Sequence, residues 1–205
     1  MRNPDGSPQK GFSFRRFPTP AALAFEVLGI NRIWPGNPVN RRYRCLDLDP
    51  LQPQVVEQPA GACFLIRRSD WEHLAGFDEG FYPVWFEDVD FCRRALDGGF
   101  GVWMVPEAQA FHVGGHSIGS MAPCRKQVQW YDSLLRYAAK HFRPAGYGWV
   151  WLAGVVGVVP RAIAGMIQQR TLGPIGCSFQ ILKLLGSRLV TRPPSGQMDR
   201  PGSDG

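Results

Sequence analysis

Apolar positions fall into short runs cut by Pro and Gly through most of the chain, and into long stretches in its last third. Over residues 21–30, Ala22, Phe25, Val27 and Leu28 give one apolar face and Gly29 ends it, which predicts a short helix. Pro35, Pro38, Pro50, Pro53 and Pro59 make residues 31–60 a loop-rich crossing. Residues 61–67 (GACFLIR) are small and apolar without alternation and read as a buried strand. Ser69 is placed to N-cap a short helix, with Glu72 as its capping-box partner. Residues 76–81 read as a loop with acids at its tip. Residues 87–96 alternate acids with Val89, Phe91, Cys92 and Ala95, which predicts a helix closed by Gly98-Gly99. Residues 100–105 read as a second strand, stopped by Pro106. Residues 108–113 read as a third, ending on His112 before a flexible Gly114-Gly115-His116-Ser117. Trp130, Leu134, Leu135 and Tyr137 give residues 127–142 the apolar side of a helix. Strand, helix, strand, strand and helix in this order predict an α/β domain.

Residues 149–160 are continuously apolar or small, and Arg161 follows at once. Such a run is shorter than the roughly 20 residues that cross a bilayer. Residues 171–190 are apolar again, with Lys183 and Arg188 interspersed. The pair predicts amphipathic or half-inserted helices at a membrane surface; the alternative is a hydrophobic hairpin packed on the domain. Residues 193–205 are rich in Pro, Gly and Ser and predict a disordered tail. The expected organisation is therefore a domain over 1–146, basic apolar helices over 147–192, and a tail over 193–205.

Composition narrows the class. The chain has 205 residues, 44% hydrophobic and 12% aromatic, so it has the apolar surface to fold. Five cysteines without any CxxC exclude a zinc ribbon and a dense disulfide framework. Their odd number leaves at least one thiol free or paired between chains, and a reducing compartment is the simpler reading. No apolar run follows Met1, so no signal peptide is expected. The net charge of +6 hides a strong pattern. Residues 45–107 hold four basic and twelve acidic side chains, a net −8. Residues 124–192 hold ten basic and one acidic, a net +9, interleaved with apolar stretches. No nucleic-acid motif accompanies the basic residues, and nucleic acid is not an expected partner.

The densest chemistry lies in the acidic middle, at Trp85-Phe86-Glu87-Asp88-Val89-Asp90-Phe91-Cys92-Arg93-Arg94. At a helix N-terminus the macrodipole keeps such carboxylates ionised. Beside an apolar wall, partial desolvation raises their proton affinity and makes a usable general base. Glu87 and Asp88 are adjacent and point apart, and Asp90 diverges from Asp88. The alternative is a capping and salt-bridging cluster paired with Arg93 and Arg94.

Four segments together resemble a known family over residues 3–142. They are Asn3-Pro4-Asp5-Gly6-Ser7-Pro8-Gln9 with Arg15-Arg16-Phe17-Pro18-Thr19; residues 61–68; Gly76-Phe77-Asp78-Glu79 leading into Phe86-Glu87-Asp88-Val89-Asp90-Phe91-Cys92 and Arg94; and Val105-Pro106-Glu107-Ala108 with His112, Gly114-Gly115-His116-Ser117, Ser133-Leu134-Leu135-Arg136-Tyr137 and Lys140-His141. In this order they resemble the C-terminal part of family 2 glycosyltransferases of the GT-A fold, especially the rhamnosyltransferase-like branch.

The resemblance implies an incomplete GT-A domain and an inverting sugar transfer. The donor would be a nucleotide-sugar, possibly of rhamnose, and the acceptor a glycan or lipid-linked sugar. It implies Asp88 as the catalytic base with Glu87 beside it, and Gly61, Ala62, Asp78, Glu79, Trp85 and Asp90 on the acceptor or sugar side. Trp85 is equally readable as a core residue, and Gly61-Ala62 as close packing. A divalent metal, Mg or Mn, is implied, with His112 as its contact and His116 as the alternative. Asp47-Leu48-Asp49 spells Asp-x-Asp but lies in a Pro-rich loop, downstream of the turn it should precede, and is not read as the metal motif. The donor-binding half that precedes that turn in the family is not found, so little activity is expected of this chain alone. A non-catalytic, membrane-peripheral interaction module is the alternative. The expected location is cytoplasmic, peripheral to the inner face of the cell membrane.

Overall fold

A computed structural model describes residues 1–113 and 119–190. Two halves share one body. The first carries short elements: β1 (Phe14–Arg15), α1 (Pro20–Val27), α2 (Ile30–Ile33), α3 (Pro38–Tyr43), β2 (Gln54–Val56), β3 (Gln58–Pro59), α4 (Arg68–His73), a 3-10 turn (Glu79–Phe81), α5 (Glu87–Asp97) and β4 (Val102–Met104). The second is three long helices, α6 (Pro123–His141), α7 (Pro144–Gln169) and α8 (Gly173–Val190). β1 pairs antiparallel with β3, and β2 antiparallel with β4, giving two two-stranded sheets. This mixture of helix and small sheets is compatible with the α/β class.

The main core lies where α1, α5 and the three long helices meet, around Leu23, Val27, Val89, Tyr131, Leu134, Val150, Ile181 and Leu185. Thr19 starts α1 by accepting the Ala22 N–H, with Pro20 at the first helical position. Gly157 of α7 lets the end of α1 come close, since a Cβ there would stand 2.3 Å from the Val27 carbonyl oxygen. Arg161 completes this contact by donating from Nη2 to the Glu26 and Val27 carbonyls at 3.0 and 3.1 Å. Both belong to the last turn of α1, where carbonyls lack a partner within the helix; Glu26 also accepts the Gly29 N–H at 3.1 Å.

Several expectations are corrected. Residues 61–67 form no strand: the preceding Gln58–Pro59 takes the pairing with β1, and Leu65 is left 97% exposed. Residues 108–113 also form no strand and contribute one bridge, Phe111 to Arg2. Ser69 does not cap α4; Arg67 occupies that position without a side-chain bond, and Glu72 pairs with Arg68 at 2.8 Å. The 31–60 crossing carries α2 and α3, the latter capped by Asn37. The apolar run at 149–160 belongs to a 26-residue helix that continues through Pro160, long and apolar enough by length and composition to cross a membrane. Arg161 does not interrupt it because its charge turns inward, against α1 and the rings of Trp130 and Tyr131. Cys124 and Cys177 are disulfide-bonded, against the reduced chain expected, while Cys45, Cys63 and Cys92 are free. One side of the hairpin packs on the domain, with α7 against α1 and α8 against α6. The 193–205 tail lies outside the described residues.

Candidate functional site

The acidic motif opens α5, and the backbone before it is strained. Trp85 and Phe86 hold φ of 76° and 70° in succession, and Phe86 occupies the N-cap position. Non-glycine residues in the left-handed region cost on the order of 1–3 kcal/mol each and persist only where surroundings enforce them. Here Phe86 is buried in the main core and Trp85 packs partly buried against it. Two anchored rings thus hold the turn and present Glu87 and Asp88 at the first turn of α5.

Asp88 is held at both carboxylate oxygens. Oδ2 accepts the Gly61 N–H at 2.8 Å and Oδ1 accepts the Val89 N–H at 2.8 Å. A Cβ on residue 61 would stand 3.2 Å from Asp88 Oδ2, so the missing side chain is what admits this approach. Burial raises the proton affinity of Asp88, while the Gly61 and Val89 N–H groups and the charge of Arg15 pull it down; the balance lies above the ordinary aspartate value. Glu87 is also raised, first by burial and further by the charge of Asp88. Its Oε2 is buried and has no hydrogen-bond partner. The pair is a held carboxylate beside one with an unmet acceptor, a combination that can receive a substrate hydroxyl.

Asp90 points the other way. It is 0% exposed, and its oxygens meet Lys140 Nζ at 2.8 Å, His141 Nε2 at 2.6 Å and Arg94 Nε at 2.9 Å. Burial pushes Asp90 up, but His141, Lys140 and Arg94 outweigh it and lower its pKa to about 2. Lys140 also bonds Asp78 at 2.7 Å. Asp78 caps the 3-10 turn through the Gly80 N–H; burial raises it, and Lys140 and Gly80 bring it below the ordinary value. Arg94 reaches on to the Leu74 and Gly76 carbonyls. Asp90 and Asp78 are thus placed in an internal charge cluster, in place of the acceptor-side position expected for them.

The remaining expected residues are spread out. Gly61 joins Asp88 directly. Ala62 and Glu79 are exposed. His112 sits among residues of the N-terminal turn: its ring stacks on Phe12 with centroids 5.3 Å apart, its N–H donates to the Arg2 carbonyl, and Nδ1 lies 3.4 Å from Gln9 Oε1. Among the described residues no three His, Cys, Asp or Glu side chains come together to hold a metal ion. His116 lies outside the described residues. Asp47 pairs with Arg16 at 2.9 Å and Asp49 accepts the Leu51 N–H, in keeping with structural roles for that Asp-x-Asp.

Sequence reasoning did not single out Lys140 and His141 as the partners of Asp90, nor Arg15 as a charge acting on Asp88. The available signal was the basic pair in the last turn of α6, one face of which is otherwise apolar. A cavity of about 980 Å³ opens elsewhere, walled by Phe14, Phe64, Phe91, Trp103 and Met104, and none of the expected site residues lines it.

Over 119 residues the chain is 34% identical to an N-acetylglucosaminyl-diphospho-decaprenol L-rhamnosyltransferase of Mycobacterium tuberculosis, a stretch covering 58% of this chain and 37% of that relative. Over 87 residues it is 34% identical to rhamnosyltransferase WbbL of Escherichia coli K12, covering 42% of this chain and 32% of the relative. The matched stretches span about a third of the length of these curated relatives. No family model and no solved structure matches the chain. Its similarity is to rhamnosyltransferases, which are glycosyltransferase enzymes.

Proposed function

We propose that this chain serves an inverting glycosyl transfer of the GT-A type, with rhamnose as the sugar, a nucleotide-sugar as donor and a lipid-linked glycan as acceptor, at the cytoplasmic face of a membrane. The observation that carries the reading is the Asp88 carboxylate: fixed at the start of α5 by the Gly61 N–H and raised in proton affinity by burial. The similarity to two rhamnosyltransferases supports the reaction class.

Each carboxylate oxygen has two lone pairs, so Asp88 can accept a substrate hydroxyl while keeping its two backbone bonds. The hydroxyl proton passes to Asp88 as its oxygen attacks the anomeric carbon. The bond from that carbon to the diphosphate oxygen breaks, and its electron pair leaves with the nucleoside diphosphate. Attack opposite the leaving group inverts the carbon. Glu87, adjacent at the first position of α5, is placed to orient a second acceptor hydroxyl.

Turnover of a nucleotide-activated rhamnose with a lipid-linked acceptor tests the assignment. Asp88→Asn keeps the shape and removes the base, so kcat should fall about 10²–10⁴-fold with donor affinity unchanged. Near-full turnover by this variant would remove Asp88 from the role. A calorimetric titration of the full chain with nucleotide-sugars tests donor binding, and no heat at millimolar ligand would count against transfer by this chain alone.

A further inference from the structure

α7 and α8 form an antiparallel hairpin, zipped by Trp151 Nε1 donating to the Leu185 carbonyl at 2.9 Å and Tyr147 Oη donating to the Arg188 carbonyl at 3.0 Å. One face of α7, with Tyr147, Val150, Gly154 and Val158, is buried against the body. The opposite face is apolar and uncovered: Trp149, Leu152, Val156, Val159, Ile163 and Ile167 are 46–72% exposed. These positions recur at helical spacing, so they form one stripe along the helix. On α8, Phe179 and Leu189 are also exposed, at 69% and 58%.

The charge around this patch has one sign. No Asp or Glu occurs between Asp132 and Asp199. Arg143, Arg170 and Lys183 are exposed and make no ion pair among the described residues. Arg143 precedes α7, Arg170 follows it, and Lys183 lies on α8, so the free cations frame the apolar stripe. The two other cations of the hairpin are turned inward. Arg161 caps α1 and Arg188 pairs with Asp132 at 2.5 Å.

We infer that the outer face of the α7–α8 hairpin docks flat on an anionic lipid bilayer, with the apolar stripe in the interfacial zone and Arg143, Arg170 and Lys183 on the headgroups. An apolar face framed by long cationic side chains is the pattern of an interfacial helix, with a Trp at the headgroup boundary. A flat pose is required by what backs α7. Arg161, in the second half of α7, donates to the Glu26 and Val27 carbonyls of α1, so a spanning pose would carry its charge and the end of α1 into the hydrocarbon. The inference rests on the hairpin's own surface and stands apart from the chemistry at Asp88.

Flotation of the full chain on vesicles tests it, with phosphatidylcholine alone compared with phosphatidylcholine plus phosphatidylglycerol. Binding should be at least about tenfold stronger on the anionic vesicles and should weaken as salt is raised. Alkaline carbonate should release the bound protein. Trp149→Glu with Phe179→Glu should abolish flotation on both vesicle types, and Arg170→Glu with Lys183→Glu should remove the anionic preference. Equal binding to neutral and anionic vesicles, resistance to carbonate, or a soluble dimer that buries the stripe and never floats would each overturn the proposal. The wild-type comparison of lipids and salt decides without any variant, and none of these readouts involves sugar transfer.

Discussion

Two sides of α5 carry the same residue type in opposite directions from the ordinary aspartate value. On the inner side, Asp90 meets Lys140, His141 and Arg94 and is lowered to about 2. On the outer side, Asp88 meets only two backbone N–H groups and is raised by burial. The helix dipole acts on both, so it does not separate them. What separates them is whether the desolvation of the charge is met by cations. A carboxylate saturated with cations is a structural group, because its lone pairs and charge are already used. A carboxylate desolvated without a cation retains proton affinity and is the one fit for proton transfer.

Exchanging the two acids for amides breaks the comparison most directly. Asp88→Asn should lose turnover by about 10²–10⁴-fold and only about 1 kcal/mol of stability: removal of a charge disfavoured by burial offsets part of what is lost when the amide nitrogen faces one of the two N–H groups that the carboxylate accepted. Asp90→Asn should cost more, about 3 kcal/mol in denaturant unfolding, because Lys140, His141 and Arg94 lose their common anion. If the two variants lost stability equally, the two sides of α5 would not differ as described. Acid titration gives the next effect. Asp90 is depressed from 3.8 to about 2, so its contribution is fully present above pH 3.8 and is lost as pH falls towards 2. That difference corresponds to about 2 kcal/mol. The Asp90→Asn variant should lack this acid-dependent step.

Helix α5 was legible in the sequence because its signals are local: acids in the first turn, Val89, Phe91, Cys92 and Ala95 on one side, and Gly98 at the end. The placement of Glu87 and Asp88 at its start followed from the same signals. The difference between Asp88 and Asp90 was not legible. Spacing alone sets them about 200° apart on the helix, but which one faces inward was decided by Lys140 and His141, fifty residues later. The strands failed for a similar reason. Residues 61–67 have strand composition, yet strand formation needs a partner, and β1 paired with Gln58–Pro59 instead. Arg161 marked a break in the apolar run by composition, and the C-terminal carbonyls of α1 with the rings of Trp130 and Tyr131, all far away in sequence, make it compatible with a continuous helix. At Gly61 the small residue was read as room for a sugar or for close strand packing; what its backbone N–H meets is the Asp88 carboxylate, 27 residues on.

Gly61 offers a finer test of the outer side. With Ala at 61, Cβ would lie 3.2 Å from Asp88 Oδ2 and 3.3 Å from its Cβ, so the carboxylate must shift by a few tenths of an ångström. The N–H donor is retained. Misplacement on this scale should lower kcat about fivefold and leave donor affinity unchanged. Turnover equal to wild type would show that the position of Asp88 is not set by Gly61.

The smallest expected effect is at Glu87, and it tests why an unmet group is kept. Its Oε2 is buried without a partner, and burial raises its proton affinity. A carboxyl raised in the folded state is not penalised below its unfolded pKa of 4.5, and the penalty develops as pH rises through that value and above it. Glu87→Gln removes the charge and leaves the shape, so at neutral pH the free chain should gain on the order of 0.5–1 kcal/mol. The gain should vanish in acid, where wild-type Glu87 is protonated too. If Glu87 orients an acceptor hydroxyl, the same variant should raise KM for the acceptor more than it lowers kcat, trading binding for stability. A variant that is more stable with acceptor KM unchanged would make Glu87 a strained structural residue and leave Asp88 alone as the working group of the pair.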